Sequence, residues 1–135
     1  MAITKSVGSI LEGMGSGVTS RSAKAPTNTS PGAATTITLT PNLPINTGYV
    51  RVQLKGYTAG GGFVGMTIKG SDGTNTWDLG FVAPAAAQAA LDYVSIMLQF
   101  IADNALTTIT VVFTVSTAPS GGTPQLDAEV WGALM

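Results

Sequence analysis

Seven stretches of this chain alternate apolar and polar residues with a period of two, and that alternation limits the fold more than any other feature. Tyr49–Tyr57 puts Val50, Val52 and Leu54 on one side and Arg51, Gln53 and Lys55 on the other. Thr107–Thr117 does the same with Ile109, Val111, Phe113 and Val115. Asp92–Ala102 alternates Val94, Ile96, Leu98 and Phe100, and Thr76–Val82 alternates Trp77, Leu79 and Phe81. Phe63–Lys69 and Thr36–Thr40 are shorter, and Leu126–Leu134 is weaker, with Val130 inward. Successive side chains of a strand point to opposite faces, so such runs describe sheets with one covered face. Seven of them with little helix in 135 residues predict an all-β chain. The expected fold is a single antiparallel β-sandwich or jelly roll of about seven to eight strands.

Between the runs lies turn chemistry. Ser71-Asp72-Gly73-Thr74-Asn75 reads as a hairpin, because Asp-Gly tolerates positive φ. Gly60-Gly61-Gly62 reads as the link between the second and third runs, and residues 119–124 as the link between the last two. Pro84–Leu91 is alanine-rich and predicts one or two helical turns, with a loose apolar crossover as the alternative. Thr107–Thr117 holds the aggregation-prone stretch Thr110-Val111-Val112-Phe113 and is expected at the centre of a sheet.

Residues 1–33 have a different composition, with five glycines among many Ser and Thr. They are expected to form an N-terminal arm on a sandwich domain of residues 34–135. Within the arm Ile3, Val7, Ile10, Leu11 and Met14 fall at helical spacing, which suggests a short helix over 3–12 that orders on contact. Lys5, Arg21 and Lys24 give the arm a net charge of +2, while residues 34–135 carry −3. Docking of a basic arm on an acidic neighbour follows naturally. Three dispersed cations are too few for a nucleic-acid footprint, so no nucleic-acid partner is expected.

Charged residues make up 10% of the chain, against a usual ~25%. A surface this neutral resists association poorly. The absence of His and Cys removes the Ser-His-Asp triad, the thiol nucleophile and the usual zinc set. Two carboxylates alone can hydrolyse glycosides, and Asp72 with Asp78 is the nearest pair. A turn former beside a solvated strand residue accounts for both more simply. Asp72, Asn75 and Asp78 do not match a calcium loop, and Gly13, Gly15 and Gly17 follow no strand. An enzyme is not expected, nor a cofactor or metal. The N-terminus lacks the continuous apolar stretch of a signal peptide, and no run reaches the ~20 apolar residues of a membrane helix. A soluble protein made in the cytoplasm, without a membrane partner, is expected. In that setting the sequon Asn28-Thr29-Ser30 is accidental.

Trp77, Phe81, Phe100 and Phe113 fall on the apolar register and are expected in the core. Tyr49, Tyr57, Tyr93 and Trp131 fall off it or near run ends. Tyr57, Tyr93 and Trp131 are the candidate exposed aromatic contacts, for a protein interface first and a sugar platform second. The best reading is a structural subunit whose arm (Ile3, Lys5, Val7, Ile10, Leu11, Met14, Arg21 and Lys24) docks on neighbours in a large symmetric assembly.

The Gly/Ser/Thr arm, the Thr-rich low-charge body and the missing His and Cys together resemble small virion proteins of tailed bacteriophages, capsid decoration or cement proteins above all. The resemblance is one of composition and layout over the whole chain and carries no family residues across. It implies location in a virion assembled in the host cytoplasm, contact with the major capsid protein, a homo-oligomer with a trimer favoured, and a role in bracing the shell. The alternative is a glycan- or receptor-binding module of a phage tail or fibre.

Overall fold

The computed structural model describes residues 21–84 and 93–135. It contains eight strands: β1 (Ser22–Lys24), β2 (Ala34–Leu39), β3 (Ile45–Lys55), β4 (Ala59–Ser71), β5 (Thr76–Val82), β6 (Tyr93–Leu106), β7 (Thr108–Ser120) and β8 (Gln125–Ala133). They form two four-stranded sheets, in the orders β1-β8-β3-β6 and β2-β7-β4-β5. All the pairings are antiparallel. Only β4 and β5 are consecutive neighbours within a sheet; every other connection passes from one sheet to the other. This is the jelly-roll arrangement of eight strands in two packed sheets. The seven alternating runs of the sequence are β2 to β8, in order.

The core is the sum of the inward positions. β3 gives Val50, Val52 and Leu54, β4 gives Met66 and Ile68, and β7 gives Ile109, Val111, Phe113 and Val115. Val94, Phe100, Leu126 and Val130 close the layer. Burying each such side chain contributes about 1.5–3 kcal/mol. β7 lies between β2 and β4, so its aggregation-prone centre has both ladder edges satisfied, as expected.

β1 carries no alternation signal. Its three residues join the edge of β8, with Ser22 opposite Trp131 and Lys24 opposite Glu129. The pairing continues through Ala25 N–H to Ala128 O at 3.0 Å and a bridge between Asn28 and Leu126. Ala23 and Ala25 pack against the core. Residues 22–28, read from sequence as the end of the arm, are thus held by the sandwich through a backbone ladder. The helix expected over 3–12 lies outside the described residues. So do the helical turns expected at Pro84–Leu91, of which only Pro84 is described.

Two local readings are corrected. Gly60-Gly61-Gly62 is not a loop but part of β4, where φ values of 85°, 80° and 81° accompany register shifts against β7. Gly56, Tyr57 and Thr58 make the link instead. A Cβ on Gly61 would stand 2.7 Å from the Tyr57 ring, so the glycine opens the space that ring occupies. Phe81, expected in the core, is 68% exposed. The cause is a β-bulge. Lys69 pairs with Asp78 and Ile68 with Gly80, which leaves Leu79 as the extra residue. Beyond it, Gly80 takes the inward place against Leu98, and Phe81 faces out opposite Thr67.

The glycine contrast is testable. Gly61→Ala meets both positive φ and the Tyr57 ring and is expected to cost roughly 2–4 kcal/mol. Gly73→Ala (φ 98°) meets nothing within 4 Å and is expected to cost about 1 kcal/mol. Urea midpoints of the two variants check the difference.

Candidate functional site

The outward side of the β1-β8-β3-β6 sheet gathers chemistry that the interior lacks. Beyond an outer row of Ala133, Thr47 and Ile101, register sets four cross-strand rows. Ser22, Trp131, Tyr49 and Gln99 form the first, and Lys24, Glu129, Arg51 and Met97 the second. Asp127, Gln53 and Ser95 form the third, and Gln125, Lys55 and Tyr93 the fourth. On β3, β6 and β8 each is an outward position of an alternating strand whose inward half is buried, so core packing orients that part of the face.

Tyr49 and Trp131 are directly opposite on β3 and β8, with ring centroids 5.2 Å apart and planes tilted by 41°. The Arg51 guanidinium lies 5.4 Å from the Trp131 ring centroid and pairs with the Glu129 carboxylate. The arginine is thus held by a carboxylate and a π-face at once, the latter worth about 0.5–1 kcal/mol at an exposed site. Gln53 Nε2 donates to the Tyr93 hydroxyl at 3.1 Å, and Thr27 Oγ1 donates to Asp127 Oδ1. Tyr49, Tyr93 and Met97 are exposed. The face therefore offers aromatic surface beside planar hydrogen-bonding groups whose positions are already fixed.

Of the three aromatics selected from sequence, Tyr93 and Trp131 share this face. Tyr57 does not: it is 2% exposed and belongs to the core, because the link it occupies folds inward against Gly61. Tyr49 replaces it as the ring beside Trp131. Arg51, Gln53 and Glu129 were legible as outward residues, but only strand pairing brings them together. Arg21 donates from Nη1 to the Pro44 carbonyl at 2.6 Å, and Lys24 is exposed on β1. Ile3, Lys5, Val7, Ile10, Leu11 and Met14 lie outside the described residues.

Elsewhere the acids do local work. Asp72 Oδ1 accepts the N–H groups of Thr74 at 2.8 Å and Asn75 at 2.7 Å, which closes the β4–β5 turn. Asp78 sits on β5, 3.8 Å from Lys69 Nζ. Among the described residues no group of three or more metal-binding side chains comes together. A 190 Å³ cavity between β5 and β6 is lined by Trp77, Asp78, Asp103 and Asn104 among others. A second, of 220 Å³, opens between β2 and β8 beside Ala25 and Pro26.

No protein-family model matches the sequence, and no curated protein matches it. Solved structures do match. The C-terminal domain of a chitobiase from Bacteroides fragilis is 16% identical with a TM-score of 0.46, over 76% of this chain and 65% of that one. CBM32-3, from a family 31 glycoside hydrolase of Clostridium perfringens, is 11% identical with a TM-score of 0.45, over 82% and 74%. A family 29 carbohydrate binding module from Piromyces equi is 11% identical with a TM-score of 0.39, over 85% and 89%. This chain thus spans slightly less than two thirds of the chitobiase domain. The likeness to all three concerns the β-sandwich fold alone.

The turn carboxylate yields a pH prediction. Backbone hydrogen bonds from Asn75 and Thr74 hold the Asp72 carboxyl below its ordinary value of 3.8. A lowered folded-state value stabilises the fold above the ordinary pKa and is lost as pH falls through the folded one. Asp72→Ala is therefore expected to lower the thermal midpoint at neutral pH. The gap to the parent should narrow as pH is taken below 3.8, in a calorimetric series across that range.

Proposed function

We propose that the protein is a non-catalytic carbohydrate-binding module, with the outward face of the β1-β8-β3-β6 sheet as its site. A sugar ring has an apolar C–H face and a rim of hydroxyls. Recognition therefore needs an aromatic surface with adjacent donors and acceptors. The observation that carries the reading is the contact group of Tyr49, Trp131, Arg51 and Glu129 on an open sheet face. Its polar members hold one another in place before any ligand arrives, which lowers the ordering cost of binding. The low overall charge suits an uncharged ligand. The lack of His and Cys suits binding without turnover.

A second reading, the structural virion subunit, rests on the β6 edge of the same face. Ile101 on the edge strand β6 is 78% exposed and Met97 lies on the same strand face. Exposed apolar groups on an edge strand invite pairing with a neighbour. In this reading the subunit decorates a capsid as a trimer, and light scattering of the purified protein would give that mass.

A glycan array followed by calorimetry separates the two. Saturable binding is expected, and Trp131→Ala should weaken it at least thirtyfold with the thermal midpoint nearly unchanged. Tyr49→Ala should weaken it several-fold. Phe81→Ala, an exposed ring on the opposite sheet, should bind like the parent. A blank array counts against the carbohydrate reading, and equal binding by Trp131→Ala moves the site off this face.

A further inference from the structure

We infer that the site takes the interior of an extended, uncharged polysaccharide chain lying along β3, and not a chain end; this rests on the carbohydrate-binding reading above. Aromatic groups stand at both ends of these four rows. Tyr49 and Trp131 occupy the first row and Tyr93 the fourth. Six residues of β3 separate those rows, which sets the rings roughly 15–20 Å apart. The Gln53–Tyr93 hydrogen bond ties the tyrosine hydroxyl to the third row, and the residue is exposed. A disaccharide on either end cannot reach the other, whereas an oligosaccharide of several units can.

The middle of the track is polar and balanced. Arg51 is neutralised by Glu129, and Gln53 lies beside Asp127 in the next row. Planar donors and acceptors there suit hydroxyls. Across the four rows Lys24, Arg51 and Lys55 stand against Glu129 and Asp127, a near balance that suits a chain without charge of its own. Among the described residues, Tyr49, Met97 and Tyr93 are exposed along its length. The cavities that could enclose a terminal sugar, two at the sides of the sandwich and one of 510 Å³ beside Phe81 on the opposite sheet, lie away from these rows.

The test is calorimetric titration of the full chain with linear β-1,4-linked gluco-, manno-, xylo- and galacto-oligosaccharides of two to six units. In whichever series binds, affinity is expected to rise at least tenfold from the disaccharide to the pentasaccharide and then level off. Tyr93→Ala should abolish that rise, while Trp131→Ala should lower affinity at every length. A disaccharide bound as tightly as the hexasaccharide overturns the extended-chain inference and leaves a glycan site on this face. So does an unaltered length dependence in Tyr93→Ala. Absence of binding in all four series overturns the inference, and a blank glycan array beside it removes the underlying reading as well.

Discussion

Everything in this molecule follows from closing one apolar layer between two sheets. Among the described residues no polar or charged residue is buried. The interior is Val, Ile, Leu, Met and aromatic side chains from alternate positions of β2 to β8. An unpaired polar group in such a layer would cost about 1–3 kcal/mol. Apart from the Tyr57 hydroxyl, hydrogen-bonding and charged chemistry is thereby confined to the outward positions, the turns and the open sides. The same pleat that buries Val50 and Val52 presents Tyr49, Arg51 and Gln53, so the site is the other half of the core.

The two outward faces differ sharply. On the β2-β7-β4-β5 sheet, Thr36 and Thr38 lie beside Val112 and Thr110, and Thr67 and Lys69 lie beyond them. That surface is mostly short hydroxyls and methyls, with the Lys69–Asp78 pair and Phe81 toward β5. On the other sheet the corresponding places hold Trp131, Tyr49, Arg51 and Glu129. Large planar groups held by one another are expensive to keep on a surface merely for solubility. A Thr-rich face meets that need without them, and the contrast sets the aromatic face apart.

The fold was legible because period two is a strong signal and the strands are long. β3, β6 and β7 could be drawn from Val50, Val94, Val111 and their alternating partners alone. What could not be read was anything decided by a neighbour. β1 has three residues and no pattern; only the ladder offered by β8 makes it a strand. Tyr57 looked like a strand-end ring, yet Gly61 on the following strand leaves the space that draws it inside. Tyr93 and Trp131 were recognisable as outward aromatics. Their grouping with Tyr49, Arg51 and Gln53 depends on which strand lies beside which, and a single sequence does not print that order.

Phe81 shows how far this dependence reaches. Its spacing from Trp77 points to the interior, and its exposure is dictated instead by Thr67, the residue across the ladder. Leu79 is slack between two correctly seated segments, one keyed to the Asp72 turn and the other to Met66 and Ile68. Loss of that single codon would leave a flush ladder with the phenyl ring still in water. An amino acid on such a strand inherits its side of the layer from the chain next door, and counting along its own chain cannot recover it.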